Sequence, residues 1–205
     1  MLNVEMIEGA DDAAISTWFA ARLRSALAVS IEIAVTVPGG STPFPIFERL
    51  AAEDLPWPRI AVWPGDDRIV AEDHPASNVG KIRARLEPAG ARIVPLTEDA
   101  KPPHFAIAWL GMGGDGHIAS LFPNTDPQVD DLLPVRRLTP DPLPPEAPFD
   151  RVSLTIPSLI DSDEIVFVIR GADKRAVFDA AIAEEHDLPV ARLLRTTSAK
   201  VTCFC

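Results

Sequence analysis

Apolar positions recur along the chain in two alternating periods. Between residues 11 and 28, Ile15, Trp18, Phe19, Leu23, Ala26 and Leu27 fall at i, i+3, i+4 spacing. That spacing predicts an amphipathic helix starting at Asp11 or Asp12 as N-cap. Ile31 to Val37 is short and rich in β-branched residues, which predicts a strand. A Gly-Gly turn follows, then a helix that begins at Pro43 and carries Phe44, Phe47 and Leu50. Ile60 to Trp63 predicts a second buried strand, and Asn78 to Leu86 a further helix. Arg92 to Leu96, Phe105 to Leu110, Arg151 to Ile156 and Ile165 to Ile169 read as additional strands. Ala172 to Glu184 closes the pattern as a helix, with Val177, Ala180, Ala181 and Glu184 at helical spacing. Strands separated by helices imply right-handed βαβ crossovers and a mostly parallel sheet covered on both faces. With no internal repeat and no linker, residues 1–205 read as one α/β domain.

Composition changes this picture in three places. Proline, at 21 of 205 residues, is about twice as frequent as usual. Pro134, Pro140, Pro142, Pro144, Pro145 and Pro148 crowd one segment, which is expected to be an extended loop and not a helix. Nineteen basic against 30 acidic side chains give a net charge of −11, so no global field favours nucleic acid or an anionic membrane. Any grip on a small anion must be local. No apolar run approaches the ~20 residues of a membrane-spanning helix. No basic stretch precedes an apolar one at the start, so no signal peptide and a cytoplasmic location are expected. Cys203 and Cys205, one residue apart, are too few for a structural zinc site and poorly spaced for a disulfide, and read as an incidental tail.

In parallel sheets ligands bind beyond the carboxyl ends of the strands, so the loops that follow strands carry the chemistry. The first is Pro38-Gly39-Gly40-Ser41-Thr42-Pro43. Gly39 and Gly40 let backbone N–H groups approach a ligand, Ser41 and Thr42 add hydroxyls, and a helix N-terminus follows. The set suits a phosphate. It equally suits a turn whose Thr42 caps the helix before Pro43. No Lys follows the glycines, so it is not a Walker loop. The second loop, Gly65-Asp66-Asp67-Arg68, offers carboxylates for sugar hydroxyls and a guanidinium for developing negative charge. It also fits an ordinary surface ion pair.

The third loop, Gly111-Met112-Gly113-Gly114-Asp115-Gly116-His117, satisfies G-x-G-x-x-G. A dinucleotide role does not fit. Asp115 would face the pyrophosphate, the loop is not the first strand connection, and the proline-rich segment stands where the next strand should be. An acid and an imidazole two residues apart instead suggest an acid–base site, with Asp115 fixing the tautomer or charge of His117. A histidine simply packed beneath a glycine-rich turn is the alternative. The fourth feature is basic. Arg151 opens a strand, and Lys174 stands at a helix start, where its ammonium opposes the dipole unless an anion offsets it. A solvated surface lysine is the plainer account.

Taken in order, these motifs resemble the 6-phosphogluconolactonase family and its relatives, the glucosamine-6-phosphate deaminases. The resemblance runs from about Asp11 to about Leu194. Its most specific stretch is Leu110-Gly-Met-Gly-Gly-Asp-Gly-His-Ile-Ala-Ser-Leu-Phe-Pro123. Gly39 to Pro43, Gly65 to Arg68, Ser77-Asn78, Arg151 to Thr155 and Gly171 to Lys174 fall where the family has matching motifs. Pro38, Asp67 and Ala106 depart from it, replacing a small hydroxyl residue, a Glu and an Asp. The resemblance implies a modified Rossmann-like α/β domain with neither metal nor organic cofactor. It implies a phosphate grip from Gly39, Gly40, Ser41 and Thr42 with Arg151 and Lys174, Asp66 beside the substrate, His117 as general base and Arg68 near the oxyanion. The implied substrate is a small sugar-phosphate lactone, 6-phospho-D-glucono-1,5-lactone of the oxidative pentose phosphate pathway, handled by a monomer or homodimer. The deaminases follow Asp-Gly-His with a Phe-Asn-Glu-Pro run, where this chain has Ser120-Leu121-Phe122-Pro123. Phe122 cannot relay a proton, which favours the lactonase branch over a deaminase or aldose–ketose isomerase. A non-catalytic sugar-phosphate-binding protein is a further alternative.

Overall fold

A computed structural model describes residues 4–143 and 148–205. Pro144 and Pro145 lie outside the described residues. Among the described residues seven strands form one parallel sheet: β1 (Val4–Ile7), β2 (Ile33–Val37), β3 (Ile60–Pro64), β5 (Arg92–Ile93), β6 (Phe105–Leu110), β9 (Ser162–Val168) and β10 (Lys200–Phe204). Their order is β1-β10-β9-β6-β2-β3-β5. Every residue of β2 and of β6 is buried, as central strands covered on two faces require. The helices are α1 (Asp12–Val29), α2 (Pro43–Ala51), α3 (Asn78–Leu86), α4 (Ile156–Ile160), α5 (Ala172–Ile182) and α6 (Pro189–Thr196). A smaller antiparallel sheet is built from β4 (Asp66–Arg68), β7 (Val135–Leu138) and β8 (Arg151–Leu154), in the order β4-β8-β7.

Alternate strand residues feed two cores. Val35, Val62, Ile107 and Trp109 pack with Ile15, Phe19, Ile46, Phe47 and Ile82 from α1, α2 and α3. Ala34, Ala61, Ala108 and Leu110 face Leu154, Leu159, Phe178 and Leu193 on the other side. Helix α1 starts as its sequence dictates, with the Asp11 carboxylate accepting the Ala14 N–H at 2.8 Å. Phe19, one turn further on, stacks 4.6 Å from Trp109. Truncating either ring would cost about 3–5 kcal/mol, because both are fully enclosed.

The predicted fold class stands: a mostly parallel, Rossmann-like sheet with helices on both faces. Several local expectations need correction. Arg151–Leu154 joins the small sheet, not the main one, because Gly65 turns the chain into β4 and the Leu154 N–H bonds the Gly65 carbonyl at 2.9 Å. Among its described residues the proline-rich segment has no helix, yet Val135–Leu138 within it pairs as a strand with β8. Helix α5 does not close the pattern, since α6 and β10 follow. The two cysteines are not an incidental tail. Cys203 is a fully buried residue of β10, between β1 and β9, and burial foremost pushes its thiol up to about 12. Such a thiol is inert. Among the described residues no helix is long and apolar enough to cross a membrane.

Candidate active site

The chain runs outward from β2 to β3 and β5, then returns to the other side of β2 with β6. The strand order therefore reverses between β2 and β6, and their carboxyl ends open a crevice. A cleft of about 290 Å³ occupies that position. Gly39, Gly40, Ser41, Thr42, Asp66, Arg68, His117 and Lys174 all line it. Three loops separated widely in sequence thus meet the first turn of α5. Asp115 stands behind His117. Arg151 is buried on β8 directly opposite Arg68 and does not line the cleft.

Thr42 precedes α2 but makes no side-chain capping bond, so the plain capped-turn account fails. Pro43 at the first helical position needs no N–H partner. The hydroxyl of Thr42 is then available to a ligand, beside the backbone of Gly39 and Gly40. Gly40, at φ +114°, adopts a conformation that disfavours side chains.

The loop after β6 is a tight hairpin. Met112 and Ile118 bridge across it, and the Gly113 N–H bonds the His117 carbonyl at 3.0 Å. This folds the imidazole over Gly113, where a Cβ would lie 2.2 Å from the ring. Only glycine fits. His117 Nδ1 is 2.6 Å from Asp115 Oδ1, and that hydrogen bond, first among the causes, holds the Asp115 carboxyl below the usual range. An ionised Asp115 orients the ring and leaves Nε2 as the nitrogen able to take a proton. Phe122 packs on the imidazole, its ring centre 4.6 Å away and tilted by 38°. From below, Leu188 fills the space beside Gly116, and the Val190 N–H at the start of α6 bonds the Gly116 carbonyl at 3.1 Å.

The two aspartates after β3 have different tasks. Asp67 is buried and turned into α3, where its carboxylate accepts the N–H groups of Asn78 (2.6 Å) and Val79 (2.9 Å). Burial outweighs these bonds and raises its pKa. It is a helix cap, so the expectation that both carboxylates are offered to a ligand is corrected: of the two, Asp66 alone lines the cleft. Its Oδ2 accepts the Ser120 hydroxyl at 2.5 Å. Ser120 is buried, and its own N–H reaches the Ser153 hydroxyl at 3.2 Å. Ala119, at φ +49°, makes the turn that sets Ser120 against Asp66, in a backbone region costing about 1–2 kcal/mol for a non-glycine. Arg68 Nη1 donates to the Ala76 carbonyl and to Asn78 Oδ1, both at 2.9 Å.

Sequence reasoning missed Ser120 and Asn78 as parts of this site. Both stand in quoted motifs, yet a serine or asparagine beside a turn reads as turn chemistry until the loops are brought together. Among the described residues, no group of three or more His, Cys, Asp or Glu side chains could hold a metal ion.

A parallel sheet whose strand order reverses beneath a glycine-hydroxyl loop and a His–Asp hairpin defines an α/β fold with a ligand cleft at its switch point, and comparison with known proteins gives it a family. The sequence profile described as glucosamine-6-phosphate isomerases/6-phosphogluconolactonase matches residues 10–102 and 91–203. The chain belongs to this family. Similar proteins include the 6-phosphogluconolactonase of Caulobacter vibrioides, 35% identical over 93% of this chain and 90% of that protein. That of Pseudomonas aeruginosa is 36% identical over 86% of this chain and 83% of its own. In fold, the chain is similar to the crystal structure of 6-phosphogluconolactonase from Thermotoga maritima, with a TM-score of 0.81, 23% identity and 98% of each chain covered.

Proposed function

We propose that the chain hydrolyses 6-phospho-D-glucono-1,5-lactone to 6-phospho-D-gluconate, as a cytoplasmic step of the oxidative pentose phosphate pathway. The observation that carries this reading is the meeting, in one cleft, of an Asp-held imidazole with a glycine-hydroxyl loop and a lysine. The names of the relatives at 35% and 36% identity support it. The phosphate sits in the loop from Gly39 to Thr42, within reach of Lys174, and Arg151 adds positive charge from behind Arg68. Anchoring this remote group lets its binding energy place the lactone carbonyl.

His117 takes a proton from water as the water oxygen attacks the carbonyl carbon. The carbonyl π electrons move to oxygen, and the oxyanion is met by Arg68 and loop N–H groups. When the tetrahedral adduct collapses, the ring C–O bond breaks and the imidazolium returns its proton to the departing ring oxygen. Asp66, steadied by Ser120, accepts hydrogen bonds from sugar hydroxyls. Asp115 keeps the imidazole in its working tautomer.

The test is acid release from freshly made 6-phosphogluconolactone, measured against the spontaneous background. A rate no faster than background ends the reading. Glucosamine 6-phosphate should yield no ammonia, because Phe122 offers His117 an apolar face where proton relay would need a carboxylate. Ammonia release would assign the chain to the deaminase branch. Ligand-induced thermal stabilisation without turnover would mark a binding protein.

A further inference from the structure

One side chain bridges the loops after β2 and β3. Asn78 is buried at the first position of α3. Its Nδ2 donates to the Asp66 carbonyl at 2.9 Å, and its Oδ1 accepts from Arg68 Nη1 at 2.9 Å. A guanidinium only donates and a carbonyl only accepts, so the amide has a single workable orientation. The same amide lies against Gly39, where a Cβ would sit 2.0 Å from Oδ1. The helix start does not need it. Asp67 takes the N–H groups of Asn78 and Val79, and the Ser77 hydroxyl takes that of Gly80 at 3.0 Å. The amide is therefore spent on joining Gly39, Asp66 and Arg68.

Resting on the lactonase reading, we propose that Asn78 is a positioning residue: a strut through which the phosphate-binding loop at Gly39 sets the guanidinium of Arg68. Arg68 keeps the Ala76 carbonyl as its other anchor, so losing the strut loosens its aim without releasing it. Phosphate seated in the loop holds Gly39 against Asn78, and Asn78 holds Arg68 at the reacting carbonyl. Remote binding is thereby converted into alignment at the oxyanion.

The experiment is a double-mutant cycle read in kcat and KM. Asn78→Ala should lower kcat by about 10–100-fold, the scale of a misplacement near 1 Å, with KM changed by less than about 3-fold. A purely structural role predicts a lowered Tm with kcat of the folded enzyme intact, and that result overturns the strut. Gly39→Ala drives a methyl group into the amide and should lower kcat similarly. Placed in the Asn78→Ala background, the same substitution should cost under about 2-fold, because the obstructing amide is gone. Equal loss in both backgrounds overturns the proposal. Should Asn78→Ala fail to fold, Gly39→Ala alone decides: a fall in kcat supports the strut, and a rise in KM alone refutes it. Failure of the lactonase reading is separately visible, since the unmodified chain would then open no lactone.

Discussion

Strand β6 carries a histidine–aspartate pair at each end, and the two pairs behave differently. His104, immediately before the strand, has Nδ1 2.7 Å from Asp161 and Nε2 3.0 Å from Asp163. Both ring nitrogens face carboxylates, and the bond to Asp161 foremost raises the pKa of the imidazole. It is stabilised as a cation and has no nitrogen to spare. His117, in the loop after the strand, has one carboxylate partner and lines the cleft. His104 also borders a groove, of about 430 Å³, but no glycine of a ligand-cradling loop lines it. Neither a short His–Asp distance nor an adjoining hollow makes a site. What distinguishes His117 is a nitrogen left over and a glycine-hydroxyl loop lining the same cleft.

The sharpest way to break this comparison is to substitute both histidines. His117→Asn keeps approximate shape but cannot carry the proton, and should lower kcat by about 10²–10⁴-fold with KM little changed. His104→Asn should leave kcat at the wild-type value. Retention of near-normal kcat in His117→Asn would place the base elsewhere, with Asp66 next in line.

A smaller effect is expected from another side chain that lines the cleft. Lys174→Ala should raise KM by the equivalent of about 1.5–3 kcal/mol, the worth of a hydrogen bond to a charged group. Unphosphorylated gluconolactone should be a poor substrate for the same reason, and equal turnover of both lactones would remove the phosphate grip. Smaller still, Asp115→Asn should cost less than His117→Asn, and the double variant should be no slower than His117→Asn alone.

The smallest effect belongs to the other end of β6. The raised pKa of His104 means that its ion pairs stabilise the fold fully below the ordinary histidine range. That contribution is lost as pH rises through the folded-state value. His104 and its partners are more than half exposed, so screening holds the effect to about 0–1 kcal/mol. Thermal melts of His104→Gln should show a slightly lowered Tm in mild acid and none of that deficit in alkali. A deficit that grows with pH would contradict the assignment.

Elements with a long periodic stripe or a fully apolar run were legible from sequence: α1 from Ile15 to Leu27, β6 from Phe105 to Leu110. The unread elements are short or defined by partners far along the chain. Val135–Leu138 is a strand only because β8 lies beside it, and Lys200–Phe204 is central only because β1 and β9 flank it. Pairing of this kind has no local signature. The site divides in the same way. His117, Asp115, Lys174 and the Gly39–Thr42 loop stand out by residue type and by position after a strand or at a helix start, though each alone also fits a plainer account and only the family resemblance groups them. The division of labour between Asp66 and Asp67 does not, because adjacent residues of β4 point to opposite faces and only the fold says which face holds α3.

Among the described residues strand β1 has one neighbour in the sheet, β10, with Val4 beside Val201 and Ile7 beside Phe204. Synthesis proceeds from β1 towards β10, so the first strand leaves the ribosome long before its partner exists. Until residues 200–204 emerge, β9 also lacks one edge partner and its buried residues have no cover on that side. Completion of this half of the sheet therefore waits for β10, and until then the nascent chain carries open strand edges that invite chaperones. Arrested nascent chains stalled short of residue 200 should be cut by protease near β1, while the finished protein resists.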